Sequence, residues 1–296
     1  MVDFTKCQVK PYKIYGGASG GKLGIVYNEV DYMLKFPSQK KDEISQYANS
    51  CISEYISCHI IETLGLNVQE TILGYYTKNG VNKVVVACRD FTSPIIKFKQ
   101  FAELKNTQIE TPKNGYGTEL SEVLETIENQ IMYDSFELKE FFWEMFVVDA
   151  LLGNFDRHNG NWGFLINEET EKITIAPIFD CASCLYPQPS DDDLKSFLNN
   201  EKELEARVFV FPTSALKIND KKINYFDFIS CLDNVDLNRA LLKIFPRIDL
   251  EKINEIIDSV DIISDVRKEF YKKIIKMRYE KILKFSYDKL VNKSEI

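Results

Sequence analysis

The segment of residues 153–180 constrains the fold of this chain more than any other. Its first part is a polar loop with the sequence Gly153-Asn154-Phe155-Asp156-Arg157-His158-Asn159-Gly160-Asn161. Two short apolar runs follow, 162–166 and 173–176, and the polar residues between them indicate a β-hairpin. The residue before the first strand of an antiparallel hairpin and the residue after the second lie at the same end. Asn161 and Asp180 are therefore expected to be neighbours.

Asn161, Asp180 and Asp156 form a candidate site for phosphoryl chemistry. An amide oxygen beside a carboxylate suits Mg²⁺, which takes one or two protein ligands and completes its shell with phosphate and water. Asp156 lies five residues before Asn161, so its carboxylate can face the same place and accept the proton of a hydroxyl nucleophile. The alternative is a polar loop whose side chains only bond to the turn backbone. We favour the first interpretation because Asp-x4-Asn, a hairpin and a second Asp have the spacing of a kinase catalytic loop and its metal aspartate.

A second candidate site is the glycine cluster at residues 16–21. Gly16 and Gly21-Lys22 nearly match a Walker A motif, but Leu23 stands where that motif requires Ser or Thr, and the next segment is strand-like rather than helical. We therefore interpret the cluster as a loop between two strands whose backbone N–H groups bind ATP phosphates. A P-loop-type phosphate site at residues 16–22 is the alternative.

Lys35 is the candidate phosphate-binding cation. It lies between Leu34 and Phe36 in a predicted strand, so its charge is semi-buried and needs a partner. A nucleotide phosphate and Glu54, on the helix predicted at residues 44–64, would both serve. The alternative is an edge lysine whose charge reaches solvent along its aliphatic stem.

The predicted elements indicate an α+β protein with a bilobal, protein-kinase-like fold. The N-lobe, residues 1–92, is expected to be a small sheet with one helix, and the C-lobe, residues 93–296, to be mostly helical with the catalytic hairpin. We predict N-lobe strands near residues 12–15, 22–27, 30–36, 70–76 and 83–88. We predict helices at residues 44–64, ended by Gly65, and at about 136–152, ended by Gly153. A nucleotide cleft is expected between the lobes.

Charge and composition exclude several other classes of protein. The 296 residues carry a net charge of −8, which argues against direct binding to nucleic acid or an anionic membrane. No segment approaches the roughly 20 apolar residues of a membrane span, and no secretory signal precedes the seven cysteines. We expect a cytoplasmic protein with reduced thiols; secretion would need a route that the sequence does not display.

The motifs together resemble the C-terminal kinase domain of HipA-like serine/threonine kinases, over roughly residues 12–285. The resemblance rests on the 154–161 loop, the segment 176–180, the glycine cluster, the strand around Lys35, the helix with Glu54 and the segment 211–216. It implies an ATP- and Mg²⁺-dependent protein kinase in which Asp156 is the catalytic base and Asn161 and Asp180 hold Mg²⁺. It further implies an ATP site and an autophosphorylated serine, Ser19; the implied ATP-site residues are Gly17, Ala18, Ser19, Gly20, Lys35, Glu54, Cys88, Asp90, Phe91 and His158.

The family also implies partners. Its toxin members belong to toxin–antitoxin modules, so the resemblance implies an antitoxin protein as a partner and a protein substrate of the translation machinery, such as an aminoacyl-tRNA synthetase. HipA carries an additional N-terminal subdomain, whereas the first strand predicted here begins at Tyr12, so we expect a short, kinase-core form. A nucleotide-binding pseudokinase that acts by association is the alternative function.

Four features have weaker functional interpretations. Cys181 and Cys184 form a CxxC pair that we expect to fill the cleft floor, with zinc binding and redox sensing as alternatives. We expect His158 to brace the catalytic loop rather than to ligate a metal. The acidic residues 191–193 are expected to form a solvated loop, and the basic C-terminal segment 267–293 an amphipathic helix packed on its own domain.

Overall fold

The computed structural model describes residues 1–16, 21–37, 49–109 and 113–294. Its N-terminal part is a six-stranded sheet with the strand order β1-β5-β6-β4-β3-β2. Only the short β1–β5 pair is parallel. The strands are β1 (Val2–Asp3), β2 (Gln8–Val9), β3 (Lys22–Tyr27), β4 (Val30–Lys35), β5 (Thr71–Lys78) and β6 (Val81–Arg89).

Two tight hairpins build most of this sheet. Asn79 and Gly80 both have positive φ, 52° and 75°, as a two-residue hairpin turn requires. Asn28 and Glu29 adopt the same region at the β3–β4 turn. Both turns lie between strands that were predicted from the sequence, and the register pairs Lys22 with Lys35 at the end of the hairpin that faces the cleft.

The predicted strand at residues 12–15 is wrong. Val9 pairs with Ile25, so β2 already occupies the free edge of β3. After β2 the chain turns, with Lys13 N donating to the Lys10 carbonyl at 3.1 Å. Residues 12–15 thus pair with no strand of this sheet.

Helix α1 (Ser50–Thr63) packs on β5 and β6 and presents Glu54 toward β4. It agrees with the second half of the predicted helix; residues 44–48 of that prediction lie outside the described residues. The helix ends as predicted at Gly65, whose φ of 72° suits a glycine after a helix C-terminus.

The C-terminal part is built around α4 (Ser135–Leu152), which is buried over most of its length. Asp134 caps it by accepting a hydrogen bond from Glu137 N at 2.8 Å, and Gly153 ends it with a φ of 68°. The other helices are α2 (Phe101–Gln108), α3 (Leu120–Asn129), α5 (Asp191–Leu198), α6 (Glu201–Phe209), α7 (Tyr225–Cys231), α8 (Val235–Ile244), α9 (Leu250–Asp258), α10 (Asp265–Arg278) and α11 (Phe285–Ser294).

The predicted catalytic hairpin is present as β8 (Gly163–Asn167) and β9 (Ile173–Ile175). A strand that the sequence analysis missed, β7 (Ile96–Gln100), pairs with β8 and completes a three-stranded sheet. A two-stranded hairpin, β10 (Lys217–Ile218) and β11 (Lys221–Lys222), lies further along the chain.

The acidic residues 191–193 do not form a loop; they are the first turn of α5. Ser190 and Asp193 make a reciprocal capping box, in which Ser190 Oγ accepts from Asp193 N at 3.2 Å and Asp193 Oδ2 accepts from Ser190 N at 2.9 Å. The spacing Ser-x-x-Asp could have revealed this helix start. Carboxylates in a first turn also interact favourably with the helix dipole.

The C-terminal segment packs on its own domain, as predicted. Phe270, Ile274 and Met277 of α10 are buried in the main core. A π-helical segment, Tyr279–Lys284, joins α10 to α11. None of the helices in the described part of the chain is long and apolar enough to cross a membrane.

Candidate active site

A cavity of about 530 Å³ lies between the N-terminal sheet and the C-terminal part of the molecule. A volume of this size suits a nucleotide or a comparable small ligand. Both lobes line it. The lining residues are Tyr15, Gly16, Lys22, Met33, Lys35, Gln69, Asp90, Phe91, Thr92, Phe98, Gln100, Tyr116, Asp156, His158, Gly160, Asn161, Phe179 and Asp180.

Lys35 forms the electrostatic centre of this cavity. Its Nζ lies 2.7 Å from Glu54 Oε2 and 3.0 Å from Asp180 Oδ1, so the predicted Lys35–Glu54 pair is present and Asp180 joins it. Burial lowers the pKa of Lys35, but the charges of Asp180 and Glu54 outweigh it and hold that pKa well above its ordinary value. Lys35 lowers the pKa of Asp180, which therefore stays ionised. Burial raises the pKa of Glu54, because its side chain is fully enclosed.

Arg157 joins the catalytic loop to the segment that carries Asp180. Its Nη1 donates to the Asn161 carbonyl at 3.1 Å and also to the Phe179 carbonyl. Its Nε donates to Asp149 Oδ2 at 3.1 Å, which pairs the buried guanidinium with a buried carboxylate of α4. One side chain thus holds both ends of the β8–β9 hairpin, and the predicted neighbours Asn161 and Asp180 line the same cavity. Asp149 was not among the site residues predicted from the sequence.

We expect Asp149→Ala to destabilise the fold by about 3–5 kcal/mol, because it leaves the Arg157 charge buried without its partner. Chemical denaturation monitored by circular dichroism would measure the loss. Asp258→Ala is the matched control, since Asp258 pairs with Lys272 at the surface and a surface pair contributes about 0–1 kcal/mol. Equal losses in the two variants would contradict the role given to the buried pair.

Asp156 is exposed to the cleft, and none of the described residues donates a hydrogen bond to its carboxylate. Partial burial raises its pKa, while the charge of His158 acts in the opposite direction. Asn161 Nδ2 donates to the Asp156 carbonyl at 2.9 Å, which orients the amide and leaves Oδ1 available as a ligand. Asp156 thus offers a free acceptor beside a free amide oxygen.

The neighbouring polar residues brace this loop. His158 Nδ1 accepts a hydrogen bond from Gly160 N at 3.0 Å, which agrees with the predicted bracing role, although the ring also lines the cavity. Asn159 Nδ2 donates to the carbonyls of Gly115 and Gly117, at 2.9 and 2.7 Å. The catalytic loop is therefore anchored to the 113–118 loop at the rim of the cleft.

Aromatic side chains form one wall of the cavity. The ring centroids of Phe91 and Phe98 lie 5.6 Å apart, and that of Phe179 lies 5.6 Å from Phe91 and 5.3 Å from Phe98. Such a cluster offers an apolar surface for a planar base. Phe98 was not among the predicted site residues, because it lies on β7, a strand that was not predicted.

Residues 15–265 of this chain match the HipA-like C-terminal domain family. The chain belongs to this family. It is 51% identical to "Serine/threonine-protein kinase CtkA" of Helicobacter pylori over 280 residues, which cover 94% of this chain and 85% of that protein. The predicted HipA-like family and the predicted enzyme class, a serine/threonine protein kinase, are both confirmed by these matches.

Two solved structures resemble this HipA-like chain. The crystal structure described as a Helicobacter pylori proinflammatory kinase CtkA matches with a TM-score of 0.94 and 48% identity, covering 99% of this chain and 98% of that one. A chain of the Shewanella oneidensis HipA, HipB and operator DNA complex matches with a TM-score of 0.57 and 17% identity, covering 96% and 70% of the two chains. The second match shows the fold alone. The predicted bilobal, kinase-like fold is confirmed.

Four of the predicted ATP-site residues of this HipA-like chain, Gly17, Ala18, Ser19 and Gly20, lie outside the described residues. At the edge of the cluster, Gly16 and Lys22 line the cavity, and Lys22 Nζ donates to the Gly16 carbonyl. Lys22 is the first residue of β3 rather than of a helix, which argues against the P-loop alternative.

Three predicted ATP-site residues of this HipA-like chain lie in the segment 88–91 at the end of β6, which is called the hinge below. Asp90 and Phe91 line the cavity, whereas Cys88 is buried in β6 and is not among the lining residues. Tyr15, Thr92 and Tyr116 line the cavity without having been predicted. No periodic pattern or motif marks these three in the sequence.

The donor set fits a Mg²⁺ ion with a nucleotide. Asn161 Oδ1 and the ionised Asp180 would supply the hard oxygen ligands, one or two of which suffice when phosphate and water complete the shell. Within the ranges that the structure describes, no group of three or more His, Cys, Asp and Glu side chains could hold a metal ion by itself. The zinc alternative for the CxxC pair therefore gains no support. Cys181 and Cys184 are buried free thiols below the cleft, as packing predicts.

Proposed function

We propose that this kinase transfers the γ-phosphoryl group of ATP to the hydroxyl of a serine or threonine, with Mg²⁺ as cofactor. One observation carries the proposal: a lysine paired with Glu54 and Asp180 shares a single cavity with Asp156 and Asn161. Phosphoryl transfer depends mainly on positioning and on stabilising charge, and these side chains provide both.

Each of the candidate site residues has a definite task in this proposal. Lys35 binds ATP phosphates, and Glu54 holds the lysine side chain in the direction of the cleft. Asp156 accepts a hydrogen bond from the substrate hydroxyl and takes its proton as the oxygen attacks the γ-phosphorus and the bond from that phosphorus to the leaving ADP breaks. Asn161 and Asp180 hold Mg²⁺, which when bound neutralises charge on the phosphate oxygens. The aromatic wall around Phe91 excludes water from the adenine side.

The direct test combines labelled ATP with the purified protein and with a cell lysate. We expect incorporation of the γ-phosphate into the kinase itself, at Ser19 by mass spectrometry, and into a lysate protein on serine or threonine. The γ-label must be transferred and the α-label must not. A wild-type protein that binds Mg·ATP without any transfer would favour the pseudokinase alternative instead.

Lys35→Met is expected to reduce phosphoryl transfer far more than Lys22→Met. Lys35 is enclosed between two carboxylates, whereas Lys22 bonds to the Gly16 carbonyl at the cavity edge. Losing a buried charged contact to phosphate costs about 2–5 kcal/mol, or roughly 30- to 4,000-fold in kcat/KM. Steady-state kinetics of both variants measures the difference. A larger loss in Lys22→Met would support the P-loop alternative.

The protein substrate and the antitoxin partner stay predictions of family membership. An affinity purification from the native cell, compared with the same extract passed over uncoupled resin, would identify proteins that bind the kinase. Labelling in the lysate, as above, would identify proteins that it phosphorylates.

A further inference from the structure

Residues 10–16, called the stem below, lead into the glycine cluster. Side-chain contacts hold the stem against the hinge. Tyr15 Oη donates to Asp90 Oδ2 at 2.7 Å, and Lys13 Nζ forms an ion pair with the same oxygen. Since residues 12–15 join no sheet, these side-chain contacts, rather than strand pairing, hold the stem in place.

The Asp90 carboxylate is fully engaged by the protein. Its Oδ1 accepts hydrogen bonds from Thr92 N at 2.8 Å and Thr92 Oγ1 at 2.6 Å, and its side chain is only 3% exposed. A buried charge needs such partners. Burial raises the pKa of Asp90, but the hydrogen bonds from Lys13, Thr92 and Tyr15 outweigh it and lower that pKa below its ordinary value. Asp90 is therefore ionised and has little capacity left for a nucleotide.

Tyr15 is held as a donor by the same contact. Burial and the bond to Asp90 raise its pKa, so the hydroxyl keeps its proton. The ring lines the cavity directly beside Gly16, where the glycine cluster begins. Tyr15 therefore contributes a wall of the cleft whose position depends on Asp90.

A second set of contacts joins the stem and the hinge to Asp31 of β4. Asp90 N donates to the Asp31 carbonyl at 2.9 Å, and the Asp31 carboxylate pairs with Lys10. Both ends of the stem thus connect to the hinge side of the sheet.

We propose that Asp90 is a positioning residue, which holds Tyr15 and the stem of the glycine cluster over the cleft so that the nucleotide site is formed before ATP binds. This inference rests on the proposed function, because it assigns Asp90 a task in ATP binding. It replaces the direct ATP contact predicted for Asp90 with an indirect one. A preformed site avoids the entropic cost of ordering the stem on binding.

The test compares Tyr15→Phe, Asp90→Asn and the double variant. Tyr15→Phe keeps the ring and removes only the hydroxyl that Asp90 holds. A hydrogen bond to a charged group corresponds to roughly a tenfold change or more, so we expect Kd and KM for ATP to rise about tenfold in either single variant. We expect kcat at saturating ATP to change much less, and the double variant to be no weaker than Asp90→Asn.

The matched controls are Asp3→Asn and Tyr75→Phe. Asp3 of β1 and Tyr75 of β5 are cross-strand partners in the same sheet, and neither residue lines the cleft. Both control variants are expected to bind ATP with the same Kd as the wild type. Hydrogen exchange by mass spectrometry adds a readout without turnover: residues 10–16 should exchange faster in Tyr15→Phe than in Tyr75→Phe.

The results separate this inference from the proposed function. If wild type binds ATP and transfers phosphate while Tyr15→Phe has an unchanged Kd and KM, the positioning role is overturned and the kinase proposal stands. Additive effects in the double variant would also overturn it, since the two groups would then act independently. A wild-type protein that does not bind ATP would overturn both proposals.

Discussion

Asp156→Asn is expected to lower the rate of phosphoryl transfer by about 10²–10⁴-fold, the usual contribution of a general base. The amide has nearly the same shape, so the loop should keep its structure. Unlike the carboxylate, however, the amide cannot accept the proton of the substrate hydroxyl. Because none of the described residues donates a hydrogen bond to the Asp156 carboxylate, the substitution breaks no side-chain hydrogen bond within the described part of the chain.

Single-turnover measurements with γ-labelled ATP would determine this rate, and calorimetry would show that ATP still binds. Asp192→Asn is the matched control, since Asp192 lies in the exposed first turn of α5. Its rate is expected to equal that of the wild type. If Asp156→Asn transfers phosphate as fast as the wild type, Asp156 is not the base.

Asp180→Asn is expected to reduce phosphoryl transfer by about 10³-fold. A bound metal ion contributes several kcal/mol of transition-state stabilisation, and the substitution removes its charged ligand. It also removes one of the two carboxylates that hold Lys35. Both changes weaken the charge balance around the ATP phosphates.

The informative measurement is ATP affinity as a function of Mg²⁺ concentration. We expect Mg²⁺ to tighten ATP binding in the wild type and to have little effect in Asp180→Asn. Glu54→Gln provides the contrast, because Glu54 holds the other side of Lys35 and is not among the residues that line the cavity. That variant should bind ATP more weakly yet keep its response to Mg²⁺. An Asp180→Asn protein with a normal response would show that Asp180 is not a metal ligand.

The catalytic hairpin shows how much could be predicted from the sequence. Its two strands were placed within one or two residues, and the expected proximity of Asn161 and Asp180 agrees with the cavity that both line. These features depend on neighbours in the chain, because alternation of apolar residues and turn composition act locally. The turn at Asn79-Gly80 was predictable for the same reason.

Contacts between distant segments were harder to predict. A buried cation was expected to need a carboxylate, so the Lys35–Glu54 pair was found, but the participation of Asp180 was not. The partner of Arg157 could not be chosen from the sequence, because many carboxylates are available and only packing decides which one is buried beside it. β7 was missed since its pairing with β8 spans more than sixty residues.

The sequence by itself therefore determined the bilobal α+β class, the hairpin and the identities of Lys35, Asp156, Asn161 and Asp180 as candidate site residues. Only the tertiary structure decided which side chains hold them: Asp149 and Arg157 beneath the catalytic loop, and Asp90 with Tyr15 at the mouth of the cleft. The physical reason is that local backbone preferences are set by nearby residues. The strength of a polar pair depends instead on burial, which arises only when remote segments exclude water from it.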